Sequence, residues 1–470
     1  RHGPTPARRA TPRPRAGEPL ATSLFRYQVE MDYGSPGFDS LRTFREQSDS
    51  LAKLLALYFR DKSAAAYAQA MQREHTRRYR VTYRKDTLVP RSEGGLARWW
   101  DRMRGEEFLT VKLYDTLRDH TPVALFPREI DYTEWQTLRR YPILNWNMGM
   151  TYRLRERDER VYPQGELARR TIGQVGDKGN YGVEYVLRDV LEGRDGKARR
   201  QRIARGFYGR VVGGDNSEPE DGLDVVTTLD LEMQDVADRA LRRQLEAQNA
   251  LWGTALVMEV ATGDLLAMAN LSRTKSGAYA EVKNHALSSR MEPGSTFKLA
   301  ALLALVDDAG MSLDETFDTG NGARVKVGRT TVQDSHGLPP LNLKDAVAHS
   351  SNVFFARAVY ETYKDDPERY VDYLRHLHLD RTVGLEEFGA VAPIFPAPGM
   401  KIWYPDVSIV NMGYGYAIEL TPLHTLTLYN AVANDGCMVA PRLVREIRRG
   451  GEVVGRPERR GGGGRNCPRP

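Results

Sequence analysis

Hydrophobic and polar positions alternate over LATSLFRYQVEMDY, residues 20–33, which predicts a strand. SLRTFREQSDSLAKLLALYF (40–59) and SAAAYAQAMQREH (63–75) instead repeat their apolar positions at helical spacing and predict two helices. HTRRYRVTYRKDTLV (75–89) returns to strand-like alternation, and GGLARWWDRM (94–103) reads as a helix with exposed charge. Residues 17–222 thus mix short strands and helices, with many charges and no long apolar core. That pattern fits an elongated α+β module better than a compact enzyme.

A second region begins near Asp224. DVVTTLDLEMQDVADRALRRQLEAQN (224–249) reads as a strand end running into an amphipathic helix. GTALVMEVATGDLLAMANL (253–271) reads as a β-hairpin turning at Thr262-Gly263-Asp264. FKLAALLALVDDAG (297–310) is an apolar helix closed by Gly310, and residues 340–363 and 421–434 also read as helices. This region has the larger apolar core, so it is where a deep site is expected. No internal repeat is evident.

Composition refines the picture at the ends. Hydrophobic residues make up 41% and charged residues 28% of 470 residues, a globular balance that excludes wholesale disorder. The formal net charge is +6, but residues 1–16 contribute +5 and 456–470 contribute +4, leaving the body slightly acidic. The basicity therefore gives no argument for a nucleic-acid partner. Both ends are rich in Arg, Pro or Gly with almost nothing to bury, so 1–16 and 456–470 are expected to be disordered or non-native tails, such as reading-frame errors would produce. No uncharged apolar run of about 18 residues occurs, and RHGPTPARRATPRPRA lacks the apolar stretch of a signal peptide. Cys437 and Cys467 are too few for a disulfide framework or a zinc site, and no HExxH, CxxC or phosphate-cradling glycine loop appears; neither metal nor cofactor is expected.

The central candidate for chemistry is Met291-Glu292-Pro293-Gly294-Ser295-Thr296-Phe297-Lys298. Pro293 and Gly294 form a turn, so Ser295 opens the apolar helix and Lys298 lies one turn on, on the same face. A serine hydroxyl is a weak nucleophile that needs an adjacent base. A lysine desolvated by an apolar helix can lose its proton near neutral pH and be that base. The bare Ser-x-x-Lys pattern also occurs at Ser50/Lys53, on a charged helix, and at Ser272/Lys275, in a polar loop. Only Ser295/Lys298 follows Pro-Gly and opens a buried helix. His349-Ser350-Ser351-Asn352 supplies a hydroxyl able to relay a proton and an amide able to hold a carbonyl or the lysine, although Ser-Ser-Asn alone is more often a turn or cap. His336, in Asp334-Ser335-His336-Gly337, invites a Ser-His-Asp reading but is better taken as a loop residue, and Trp99-Trp100 as packing or a partner patch.

EPGSTFK followed by SSN resembles the transpeptidase domain of the class B penicillin-binding proteins, the cell-wall D,D-transpeptidases, and most of all the division-type members. Arg160 to Ala168 (RVYPQGELA) with Ile172-Gly173, and Gly182-Val183-Glu184, resemble that family's pedestal signatures. Thr228-Leu229-Asp230 with Gln234, Gly413-Tyr414-Gly415, and Thr421-Pro422-Leu423 resemble its catalytic-domain segments, and Ala21-Thr22-Ser23 the stretch after its membrane anchor. The likeness spans roughly residues 17–450. It implies a pedestal or dimerisation-like module over 17–222 and a transpeptidase domain, an antiparallel sheet flanked by helices, over 223–455. It also implies roles. Ser295 would attack the D-Ala-D-Ala carbonyl of a peptidoglycan stem peptide, with Lys298 as base, Ser350 as proton shuttle to the leaving amine, and Asn352 orienting Lys298 and substrate. β-Lactams would acylate Ser295. Lipid-linked glycan strands and membrane proteins of division or elongation, docked on the pedestal, would be partners of an enzyme held at the cell membrane with its catalytic domain extracytoplasmic.

One departure stands out. The family's third motif, Lys-Thr-Gly or Lys-Ser-Gly, does not follow Asn352; Lys275-Ser276-Gly277 precedes Ser295 and reads as a decoy loop. The sequence is thus expected to be truncated before that motif, missing the anchor, poorly stable, and inactive as it stands, with a sheet edge left unpaired. Two alternatives follow: a non-catalytic scaffold, and a β-lactam-sensing or -hydrolysing relative.

Overall fold

A computed structural model describes the chain apart from residues 1, 6–8, 16–18, 39–40, 106–107, 146–151, 177–178, 205–206, 211–216 and 458–470. Most of the 456–470 tail therefore lies outside the described residues. The chain divides into two compact units: Arg1–Thr5, Ser23–Arg160 and Asp195–Glu218 form one, and Pro6–Thr22, Val161–Arg194 and Pro219–Pro470 the other. The expected single boundary near residue 222 thus gives way to an interleaved one. The reason is burial. Leu20, Ile172, Val183 and Leu191, placed by sequence in the first module, share an apolar core with Val225, Leu229, Leu265 and Leu443.

In the first unit, the Thr22–Met31 strand and the Leu41–Phe59 and Ala64–Arg78 helices form where the pattern places them. Phe44, Leu51 and Leu55 on one helix and Tyr67 and Met71 on the next bury against Val29 and Met31. Ser63 caps the second helix by accepting from the Ala66 N–H at 3.2 Å. Tyr79–Pro90 pairs antiparallel with Phe108–Arg118, with the Gly95–Met103 helix between them.

The second unit holds the larger core. Trp252–Met258 and Leu265–Arg273 form the expected hairpin, with the short Tyr279–Ala280 strand on its far side. The Leu231–Ala247 helix, capped by Asp230, packs Ala237 against Ala267 and Ala269 of that sheet. Across the unit, Phe297, Ala300, Ala301, Ala304, Val353, Phe354 and Phe355 are buried together, so the apolar helices expected from sequence share one core. Trp252–Met258 is a terminal strand of this three-stranded sheet, and among the described residues no named strand pairs with its other edge. No helix among the described residues is long and apolar enough to cross a membrane.

Within 1–16, the described residues 2–5 and 9–15 depart from the expectation of a disordered tail. Pro12 and Arg13 run parallel to Val225 and Val226 as the edge of a four-stranded sheet. An edge tolerates proline because its missing N–H faces away from the ladder. Arg9 pairs with Glu184 at 2.8 Å, Arg13 with Asp224 at 3.1 Å and Arg15 with Glu259 at 3.1 Å. Glu184 is itself 1% exposed, so Arg9 neutralises a buried carboxylate. A composition rich in Arg and Pro reads as disordered only while these acidic partners, far along the chain, are unseen. His2–Thr5 likewise pairs with Gly196–Arg199, in the first unit.

Candidate active site

Pro293 and Gly294 end an extended stretch that is pinned on one side by Met291, whose N–H and carbonyl both bond Leu420, at 3.0 and 2.9 Å. The Gly294 N–H donates to the Gly415 carbonyl at 2.9 Å, and the Glu292 carboxylate accepts from the Ala417 N–H at 3.0 Å. Gly294–Phe297 then forms a single 3₁₀ turn leading into the Lys298–Leu303 helix. In that tighter turn side chains three apart eclipse. Ser295 and Lys298 are consequently stacked, with Lys298 Nζ donating to Ser295 Oγ at 3.2 Å. Ser295 is exposed, whereas Lys298 is only 5% exposed.

The other two candidates come from a helix–turn–helix. Leu343–His349 ends at Ser350, which adopts the left-handed conformation (φ 52°, ψ 44°), and Asn352–Tyr363 begins after Ser351, whose hydroxyl accepts from the Phe354 N–H. The turn points back at the lysine. Lys298 Nζ lies 2.5 Å from the Ser350 carbonyl, 3.1 Å from Ser350 Oγ and 2.7 Å from Asn352 Oδ1. All four sequence candidates thus meet at one nitrogen. An ammonium has three protons, fewer than the four acceptors around this one, and burial lowers the Lys298 pKa to about 8, with the charge of Asp334 opposing the fall. In its neutral form the amine can take the Ser295 proton and pass one to Ser350. The arrangement is competent for nucleophilic acyl transfer by a serine with a lysine base.

The competing patterns stay apart from this cluster. Ser50 bonds the Glu46 carbonyl at 2.9 Å on the exposed face of its helix. Ser272 bonds His285 at 2.7 Å; that ring stacks on Trp252 and bonds Ser289 through its other nitrogen, a buried group the sequence reading missed. Lys275-Ser276-Gly277 occupies the exposed turn between Leu265–Arg273 and Tyr279–Ala280, where Thr274 N–H bonds the Ala278 carbonyl. His336 is exposed and bonds Ser335, whereas its neighbour Asp334, which drew no attention of its own, is buried and bonds Ser351 and the backbone N–H groups of Asn352 and Val353. No local sequence signal marks it, because the helix start it bonds lies 18 residues on, beyond the Leu343–His349 helix. Among the described residues no group of three or more His, Cys, Asp or Glu is placed to hold a metal.

The Gly413-Tyr414-Gly415 segment has a mechanical part in this site. Gly415 sits at φ +91°, and a Cβ there would lie 1.9 Å from the Gly294 carbonyl oxygen. Gly277 has nearly the same φ, +89°, with open space around it. Gly415→Ala is expected to lower the thermal unfolding midpoint well beyond Gly277→Ala, which carries only the strain of about 1–3 kcal/mol. It should also carry Ser295 away from Lys298, because relief of the clash pushes the Gly294–Phe297 turn outward. Equal midpoints for the two variants would contradict the contact.

Residues 253–461 match the family model described as the penicillin binding protein transpeptidase domain. The chain is 30% identical over 305 residues to penicillin-binding protein PbpB of Mycobacterium tuberculosis, covering 61% of this chain and 43% of that protein. The match spans about half the length of the first curated relatives. Among solved structures, penicillin-binding protein 3 of Mycobacterium tuberculosis complexed with aztreonam is 27% identical, with a TM-score of 0.53 over 64% of this chain and 65% of that one. Penicillin-binding protein 2X of Streptococcus thermophilus matches 95% of this chain and 61% of its own at a TM-score of 0.67 and 19% identity, a likeness of fold that takes in the amino-terminal module as well.

Proposed function

We propose that this chain, whose residues 253–461 match the penicillin binding protein transpeptidase domain, belongs with the class B peptidoglycan D,D-transpeptidases and uses Ser295 to cross-link cell-wall stem peptides during septal synthesis. The observation that carries the reading is one buried amine, Lys298 Nζ, within reach of Ser295, Ser350 and Asn352 together. Neutral Lys298 takes the Ser295 proton as Oγ bonds to the penultimate D-Ala carbonyl carbon. The peptide C–N bond then breaks, a proton passes through Ser350 to the leaving D-Ala amine, and an ester to Ser295 remains. An amine of a second stem peptide attacks that ester, forms the cross-link and frees Ser295. A β-lactam amide enters by the same first step. Held at the extracytoplasmic face of the membrane, the enzyme would work on lipid-linked glycan strands, with the amino-terminal module docking membrane proteins of division or elongation.

Two other readings of the same residues must be separated from this one, a non-catalytic scaffold and a β-lactam-hydrolysing relative. Intact-protein mass measurement after incubation with benzylpenicillin separates the readings. A penicilloyl adduct that persists for hours supports the transpeptidase. An adduct that forms and is released indicates a hydrolase, and no adduct at high concentration leaves the scaffold.

A further inference from the structure

We propose that Asp334 is the positioning residue of this site: its buried carboxylate fixes the turn that carries Ser350 and Asn352 onto Lys298. The inference rests on the acyl-transfer reading above. Ser350 leaves its helix in the left-handed conformation, which is strained for a residue with a Cβ. Such a conformation persists only where its surroundings hold it. Here Asp334 Oδ1 accepts from the Asn352 N–H at 2.5 Å and the Val353 N–H at 3.2 Å, and Oδ2 accepts from Ser351 Oγ at 2.8 Å. The preceding residue adds a fourth tie, with the Gln333 carbonyl 3.4 Å from Asn352 Nδ2. Asp334 is 6% exposed and follows the Thr330–Val332 strand, whose Val332 is buried in the core, so the carboxylate stands on a fixed base. Three of the four acceptors around Lys298 Nζ belong to Ser350 and Asn352, the residues flanking Ser351. Without Asp334, buried N–H donors at the helix start lose their partner and the turn loses its restraint.

Helix capping alone would explain these bonds; the charge is what adds to it. Asp334 is the group that favours the protonated form of Lys298 against its burial. The nearby histidines are placed otherwise: His336 bonds Ser335, and His349 closes the Leu343–His349 helix with its ring 6.5 Å from that of His336. Neither makes a hydrogen bond to Lys298.

The test compares the full chain with Asp334→Asn and Asp334→Ala, following benzylpenicillin acylation from about pH 6 to about pH 10. Asp334→Asn keeps the size and one acceptor but removes the charge. It should move the midpoint of the pH profile downward by at least about half a unit and lower the plateau about tenfold. Asp334→Ala should lower the plateau about a hundredfold, and if it fails to fold, the Asn variant carries the test. A variant that melts earlier yet keeps the wild-type midpoint and plateau would reduce Asp334 to a helix cap and overturn the proposal. If the unaltered chain forms no adduct, the acyl-transfer reading falls first. Asp334 is then judged by the pH dependence of Lys298 acetylation with acetic anhydride, read by peptide mass spectrometry. A downward midpoint shift in Asp334→Asn upholds its hold on the lysine, and identical midpoints refute it.

Discussion

Ser295→Ala is expected to abolish the penicilloyl adduct, a loss of at least about a thousandfold in acylation rate. The hydroxyl is the only atom of the pair able to form the ester, and Lys298, its nitrogen buried under Ser350 and Asn352, is out of reach of a molecule as large as benzylpenicillin, though not of a small anhydride. Folding should be little affected. Ser295 is exposed, and Lys298 keeps its bonds to Ser350 and Asn352, so the stability change should stay within about 0.5 kcal/mol. Ser50→Ala and Ser272→Ala, which alter the other two Ser-x-x-Lys pairs, should label like the unaltered chain. Intact-mass and tryptic-peptide measurements decide it. An adduct that persists in Ser295→Ala, or disappears in Ser272→Ala, would assign the nucleophile elsewhere.

Lys298→Met should lower acylation at neutral pH by about 10²–10⁴-fold, the span of a positioned general base. Methionine keeps a buried unbranched stem but gives up the proton acceptor together with the hydrogen bonds to Ser295, Ser350 and Asn352. In the unaltered chain the rate should climb about tenfold per pH unit below the lysine's pKa of about 8 and level off above it. Lys298→Arg, protonated throughout, should stay inactive across the range. The same depressed pKa has a stability consequence with a definite sign. Between about 8 and the ordinary 10.5 the unfolded chain holds a proton on this lysine that the native chain has released. Within that window the lysine's contribution to stability therefore rises with pH, and below it the cost of burying the ammonium is present in full. A rate that is flat from pH 6 to pH 9, or Lys298→Arg acylating as fast as the unaltered chain, would exclude lysine as the base.

The four candidate residues were legible because each rests on short-range rules. Pro293-Gly294 makes a turn, a serine and a lysine three apart share a face, and a Ser-Ser-Asn run marks a helix boundary. The apolar spacing of the Leu41–Phe59, Ala64–Arg78 and Lys298–Leu303 helices is local in the same sense. The 3₁₀ form of the nucleophile turn was not legible, because both helical forms satisfy the same three-residue spacing.

What the sequence offered by itself was therefore a candidate chemistry: a serine beside a lysine at the mouth of an apolar helix, and, through the family resemblance, a hydroxyl and an amide to serve them. The tertiary structure decided what surrounds and holds that chemistry. Asp334 became part of the site by packing against the start of the Asn352–Tyr363 helix, and Gly415 by lying under Gly294. Pro12 and Arg13 became a sheet edge beside Val225 and Val226, with Arg9, Arg13 and Arg15 meeting Glu184, Asp224 and Glu259. Periodicity and turn preference act within a few residues, whereas the neutralising of a charge, the capping of a helix by a remote carboxylate and the close approach of two backbones depend on which distant segments the shared core brings together.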